Sequence, residues 1–348
     1  MPTNVTMRTV AEQAGVTQAT VSLSLANHPR IPESTRRRIQ EVAARLGYRP
    51  NPYVAALMRA RRRRRPPADR PVLALVNGLD GRHAWRDSAS PTIHQMRLGA
   101  LERARGRGYR PEEFWLHEDG MSAARFSSML RARGIVGVLL GPLRAGAPVP
   151  DLDWSRFAAV RLGVPLPDLD LPAVCNDHFF SSLEVVRRAH ALGYRRPGLV
   201  LLRSHRARFQ GRWEGGVAVA RGLLPGLRPA PALLLDSFAD VAPLDAWLER
   251  HRPDVIITPE ADPIRRRLAR LGRRVPSHVG LASLGCPELG HAISGIWQNG
   301  RALGATAVDL IISLLETNVR GPLPQAQVVM LEGIWNPGET LRRLSGGA

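Results

Sequence analysis

Apolar residues recur at helical spacing over the first fifty positions, and beyond position 70 they fall into short runs separated by amphipathic stretches. Met7, Val10, Ala11 and Ala14 share one helical face, which Thr6 can cap and Gly15 ends. Val16 follows, and Thr17 can cap a second short helix from Gln18 to Leu25, with Val21 and Leu25 turned inward. Pro32 opens a third helix carrying Ile39, Val42, Ala43 and Leu46 at helical spacing, with Gly47 at its end. Two helices joined by a tight glycine-containing turn predict a helix-turn-helix, whose second helix fits a DNA major groove.

Beyond Pro66 and Pro67 the pattern changes. Strands are predicted at Val72–Val76, Glu113–Leu116, Val136–Leu140, Ala158–Leu162, Ala173–Cys175, Gly198–Leu202, Ala232–Leu235, Asp254–Thr258, Val279–Leu284 and Gln327–Glu332. Helices are predicted between them, among others at Ile93–Arg105, Phe179–Leu192, Arg208–Arg221, Val241–Arg250 and Arg301–Glu316. Strand–helix alternation implies parallel sheets with right-handed crossovers, and this many strands suit two sheets better than one. The predicted fold class is α/β: an all-α head at 1–50, a hinge and Arg-rich linker at 51–70, and a two-lobed domain at 71–348. Lobe 1 is expected over about 71–172 and 292–322, and lobe 2 over about 173–291 and 323–340. Ligands of such sheets bind at the carboxyl ends of the strands, here between the lobes.

Composition adds a partner. The 348 residues carry a net charge of +19, and every basic residue is Arg. Residues 1–65 hold 13 Arg against Glu12, Glu33 and Glu41, so +10 of that excess sits in under a fifth of the chain. A basic block on a folded head favours phosphate through counterion release. Cys175 and Cys286 are too few for a disulfide scaffold or a Cys-only zinc site, and they point to a reducing compartment. No apolar run approaches membrane-spanning length and no secretory signal is visible, so a cytoplasmic protein without membrane attachment is expected. There is no G-x-S-x-G elbow. Gly106-Arg107-Gly108 meets Pro111 where a dinucleotide loop needs its third glycine, and no paired His/Cys spacing suggests a metal. Neither an enzyme nor a cofactor is expected.

The stretch VTMRTVAEQAGVTQATVSLSLANHPRIPESTRRRIQEVAARLGYRPNPYVAALMRARR resembles the headpiece of the lactose-repressor (LacI/GalR) family of bacterial transcription regulators. A "VA..AGVS..TVS" core followed by "R..I......LGY.PN" is matched over nearly 60 residues. The resemblance implies that Thr17, Gln18, Ala19 and Leu23 face base edges, and that Thr20, Ser22, Asn27 and Thr35 bond phosphates. It further implies a hinge helix with Val54, Leu57 and Met58, Leu57 wedging into the minor groove at the operator centre. Leu23 stands where many relatives have a polar reader, which leaves direct readout on that helix to Gln18, with a thymine-methyl contact open to Leu23. Arg61 to Arg65 are either extra phosphate contacts or a solvated linker.

The remainder is similar to the family's effector domain, which looks like a periplasmic sugar-binding protein. Asn176-Asp177-His178 matches the opening of the second lobe, and Gly295-Ile296-Trp297-Gln298 with Gly304 and Ala307 matches the return to the first. Arg212, three residues before Gly215, matches an arginine that clamps the effector, suited to sugar hydroxyls or a carboxylate. Gly285 and Cys286 stand where relatives carry an aspartate, and Pro259-Glu260 replaces Asn-Asp; Glu260 can take over hydrogen bonding. These departures weigh against a common sugar. Trp85, Trp213 and Trp297 near strand ends could stack on a ligand, and His94 and His205 are further candidates. The family resemblance implies a homodimeric, sequence-specific regulator, a repressor, on an inverted-repeat double-stranded operator, modulated by a small-molecule effector that is a sugar or related metabolite. The alternatives are a solute-binding or catabolic α/β protein with a basic tail, and a nonspecific nucleic-acid binder.

Overall fold

A computed structural model of the chain describes residues 6–25, 30–48, 70–144, 149–166, 168–325 and 327–344. Asn27, Val54, Leu57, Met58 and Arg61 to Arg65 lie outside the described residues.

The head consists of α1 (Met7–Ala14), α2 (Gln18–Leu25) and α3 (Glu33–Arg45). Thr6 caps α1: its side chain accepts from the Thr9 backbone N–H, and the Thr9 side chain accepts in return from the N–H of Thr6. Gly15 closes the helix at φ 63°, the left-handed conformation that favours glycine. The three helices enclose one cluster of Val10, Ala11, Ala14, Val21, Ile39, Val42 and Ala43, with Leu25, Leu46 and Tyr48 packed against it. Two α3 side chains tie down helix ends. Arg38 donates to the Ala14 carbonyl at 3.0 Å and Gln40 to the Ser24 carbonyl at 3.1 Å, satisfying acceptors that the C-termini of α1 and α2 leave open.

Two six-stranded sheets follow. The first has the order β11-β5-β4-β3-β1-β2, all parallel: β1 (Val72–Gly78), β2 (Arg110–Trp115), β3 (Gly137–Leu143), β4 (Ala158–Leu162), β5 (Ala173–Asn176) and β11 (Val328–Leu331). The second has the order β12-β10-β9-β8-β6-β7: β6 (Pro197–Leu202), β7 (Ala230–Leu235), β8 (Val255–Thr258), β9 (Gly280–Cys286), β10 (Ser294–Trp297) and β12 (Ile334–Asn336). Among the strands of the described residues, β12 alone runs antiparallel to its neighbour. Helices cover both faces of each sheet. They are α4 (Pro91–Gly106), α5 (Ala123–Ala132), α6 (His178–Ala191), α7 (Arg203–Arg208), α8 (Arg212–Leu223), α9 (Pro243–His251), α10 (Ala261–Arg270) and α11 (Gly300–Glu316). Strand side chains alternate between two cores. Leu73 and Leu75 face α4 and α11, while Ala74 and Val76 face Phe126 and Leu130 of α5. Helices α4 and α11 approach so closely that a Cβ on Gly99 or Gly304 would collide with the other helix's backbone.

The structure departs from the sequence reading in several places. Arg208–Arg221 is not one helix: Gln210 and Gly211 adopt φ of 54° and 68° and separate α7 from α8. The edge strand β2 begins at Arg110, not Glu113, because its register pairs Val72 with Arg110; ladder hydrogen bonds, not apolar side chains, set its start. The short strands β10 and β12 are additional. The lobe boundaries shift as well. Strands β5 and β11 belong to the first sheet and β10 to the second, so the chain crosses after Asn176, after Trp297, and between Leu331 and Ile334. Those boundaries replace the expected cuts at 172, 292 and 322. An apolar strand reads alike in either sheet, and only hydrogen-bond pairing assigns it.

Candidate functional site

Two surfaces carry the chemistry. The first is the face of α2 in the head. Thr17 precedes the helix as a cap: its hydroxyl accepts the Thr20 N–H at 3.2 Å and lies 2.9 Å from the Thr20 hydroxyl. Thr17, Gln18 and Ala19 are exposed, Thr20, Ser22 and Leu23 half-buried, and Val21 and Ser24 fully buried. Thr35, in the first turn of α3, is half-buried. The helix QATVSLSL carries no charge of its own, so the positive field comes from its surroundings, with Arg36, Arg37, Arg38 and Arg45 on α3. Arg37 pairs with Glu33 and Arg8 with Glu12, both on exposed surface where such pairs contribute little.

The second is a cleft of about 510 Å³ at the carboxyl ends of the strands, lined from both lobes. Lobe 1 contributes Arg161 of β4 and Cys175 and Asn176 of β5, with Thr92, Ile93 and Met96 of α4. Lobe 2 contributes His178, His205, Arg208, Phe209, Trp213, Ser283 and the Pro259-Glu260 turn. The lobes join here. Asn176 Nδ2 donates to Gln298 Oε1 at 2.8 Å, and Gln298 Nε2 donates to the Leu284 carbonyl. Arg208 reaches from α7 to the Leu143 carbonyl of β3 at 2.5 Å.

An aromatic wall stands on the lobe 2 side. His178 and Phe209 have ring centroids 4.2 Å apart, Phe209 and Trp213 4.6 Å, and His205 and Trp213 5.7 Å. Burial, then the positive charges of Arg212 and Arg208, with His205 adding to them once it protonates in acid, push His178 down to about 3. Burial followed by Arg208 lowers His205 to about 4. Both imidazoles are therefore neutral near pH 7 and behave as polar aromatic rings. Burial, with Arg208 adding to it, lowers Arg161 to about 10; burial lowers Arg208 too. Cys175 is pushed upward by burial, so its thiol stays protonated. Glu260 stands exposed at the rim, raised by partial desolvation.

Several buried polar atoms here have no hydrogen-bond partner among the described residues: Arg161 Nη1, Asn176 Oδ1, His178 Nδ1 and Trp213 Nε1. Buried polar groups are nearly always paired, so four orphans on residues lining one cleft single it out as the candidate ligand site. Among the described residues no group of His, Cys, Asp and Glu could hold a metal ion, and no helix is long and apolar enough to cross a membrane.

The structure brings together some sequence candidates and separates others. His205, Glu260 and Trp213 line the cleft. Trp85 does not: it is 1% exposed in the lobe 1 core, and its indole donates to the Ile93 carbonyl at 3.0 Å. His94 lies outside the lining, Nδ1 2.6 Å from the Arg86 carbonyl. Trp297 is engaged in β10 and also lies outside. Arg212, at the start of α8, reaches Met330 Sδ at 3.5 Å and is not in the lining; the break at Gly211 hands that wall to Arg208. Arg161 and His178 escaped the sequence reading. A charged residue inside the run AAVRL was the available signal for Arg161, since a buried strand excludes Arg unless something needs it.

Residues 6–51 match the model of the bacterial regulatory proteins of the lacI family. Over 54 residues the chain is 44% identical to catabolite control protein A of Priestia megaterium, a match covering 16% of this chain and 16% of that protein's length. The fold is similar to the transcriptional regulator CelR in complex with cellobiose: TM-score 0.57, 21% identity, 96% of this chain and 100% of that one. It is also similar to the lac repressor dimer bound to operator and an anti-inducer, with TM-score 0.55, 18% identity, and 97% and 99% covered.

Proposed function

We propose that this chain, whose residues 6–51 match the model of the bacterial regulatory proteins of the lacI family, is a sequence-specific transcription regulator, a repressor, whose operator affinity is set by a small molecule bound between its lobes. The observation that carries this reading is the pairing of an exposed reading face with a closed three-helix core in the segment that the family model matches. In this reading Gln18 makes the polar base contact, with Thr17 and Ala19 beside it and Leu23 available to a thymine methyl. Thr20, Ser22 and Thr35 hold phosphates. The Thr17 and Thr20 hydroxyls lie 2.9 Å apart, and either can donate, so the Thr20 proton is available to a phosphate oxygen when Thr17 is the donor.

A homodimer sets two heads on an inverted repeat. The effector acts by its differential affinity for the two lobe arrangements, and the three crossings between lobes are where that difference is felt. Selection of operator sequences on the purified protein, followed by gel shift with Gln18→Ala, tests the reading. The substitution costs about 1–3 kcal/mol on the selected site and relaxes one base position. An unchanged affinity together with an unchanged base preference sinks it. A steep fall in affinity with salt accompanies specific binding.

A further inference from the structure

Two guanidiniums, one from each lobe, line the cleft, and among the described residues neither pairs with a carboxylate. Arg161 lies in β4 among Ala158, Ala159, Val160 and Leu162, 6% exposed. Arg208 ends α7 across the cleft. Each finds one backbone carbonyl, Val164 for Arg161 Nε at 2.6 Å and Leu143 for Arg208 Nη2 at 2.5 Å. Neither forms an ion pair among the described residues, although Arg97 with Glu113 and Arg206 with Glu214 show the arginines of this domain elsewhere finding acids.

The acids on the cleft wall do not serve. Asp262 pairs with Arg265 at 3.2 Å, and Glu260 is shifted by desolvation alone, with no arginine holding its charge. Burial and then the repulsion of Arg208 act against the charge of Arg161, and the Cys175 thiol beside it, being protonated, brings no full countercharge. Both histidines are neutral, so they add no positive charge and remove none.

Two like charges in a partly dry cleft are costly unless an opposite charge joins them, and a neutral ligand would deepen the cost by excluding water. The orphan Arg161 Nη1 and the orphan indole N–H of Trp213 are donors, the kind an anion accepts from. Asn176 Oδ1 is an acceptor for a ligand hydroxyl. We propose that the cleft takes a small organic anion whose carboxylate or phosphate bridges Arg161 and Arg208 while its body lies against Phe209 and Trp213. Guanidinium forks suit either acid geometry. The proposal rests on the reading of the cleft as the effector site and names the effector's class.

The experiment uses the full chain. Thermal unfolding and calorimetry are run with gluconate and glucose 6-phosphate, with glucose and cellobiose as neutral probes, and then with a wider panel of carboxylated and phosphorylated metabolites beside their neutral counterparts. Wild type is compared with Arg161→Met and Arg208→Met. At least one anion is expected to raise the unfolding midpoint and to lose about 30-fold or more in affinity in either variant. The two arms of the panel tell carboxylate from phosphate. Without ligand, both variants should melt no lower than wild type, since each removes a poorly compensated charge. If a Met variant misfolds, Arg161→Lys keeps the charge and loses the fork, with an expected loss of about tenfold.

A neutral sugar binding as tightly as its acid overturns the proposal. So does a panel in which no anion's stabilisation depends on the two arginines. Operator binding measured on the same preparations separates the two levels. DNA binding without an arginine-dependent anion removes the site and leaves the regulator; an arginine-dependent anion without DNA binding removes the regulator and leaves the site.

Discussion

The head and the cleft treat their polar groups in opposite ways. In the head, side chains close the ends of helices: Thr6 on α1, Thr17 on α2, Arg38 and Gln40 from α3 onto the carbonyls of Ala14 and Ser24. Arg8 with Glu12 and Arg37 with Glu33 form exposed pairs on its surface. In the cleft, Arg161, Asn176, His178 and Trp213 each keep a buried polar atom without a partner. The contrast shows where each region finds its free energy. The head closes its helix ends from within and leaves a single buried polar atom, Ser24 Oγ, without a partner among the described residues. The cleft gathers four such atoms on one surface, and in the proposed reading a ligand pairs them.

Three experiments bear on that contrast. The largest effect is expected from Ile39→Ala, at the centre of the head's single small core. Loss of a buried isoleucine costs about 2–5 kcal/mol, comparable to all that so small a core supplies. The head should unfold and DNA binding vanish while the two-lobed domain melts as before. A common loss of both would break the claim that the head stands alone.

Acid comes next. His178 and His205 have folded pKa values of about 3 and about 4 against an unfolded value near 6.5. The unfolded chain binds more protons below pH 6.5, so stability is full above that pH and falls as the pH drops toward 4. The slope reaches about 1.4 kcal/mol per pH unit for each histidine. Melting of the lobes between pH 4 and 7.5, beside a His178→Phe variant with a shallower slope, checks this; equal slopes would place the histidines outside the acid response. The smallest effect is that of Thr6→Ala, about 1 kcal/mol from the lost cap on α1. It should appear in the head's transition alone, read by circular dichroism during thermal unfolding.

The head was legible because its contacts are local. Thr6, Gly15, Val21 and Ile39 are tied by spacings of a few turns, and each residue's place follows from helical periodicity and capping chemistry. The strands of the lobes were legible for the same reason, as apolar runs between amphipathic helices. What failed were statements about direction. Trp85 lies near a strand end, as a ligand-stacking tryptophan would, yet it points into the core of lobe 1. Arg212 is a different case: Gly211 breaks the helix before it and Arg208 lines the cleft, while the charge of Arg212 still acts on His178 and Cys175 in that lining.

By itself the sequence determined the helical head, the α/β class and a strongly basic N-terminal region, because capping, periodicity and charge density act over a few residues. The tertiary structure alone decided which sheet each strand joined and which side chains met in the cleft. Arg161, Asn176, His178 and Arg208 span nearly fifty positions on separate elements. They become one site only where the chain crosses between lobes, and their shared burial, not their identity, makes unpaired charges and orphan donors out of ordinary polar residues.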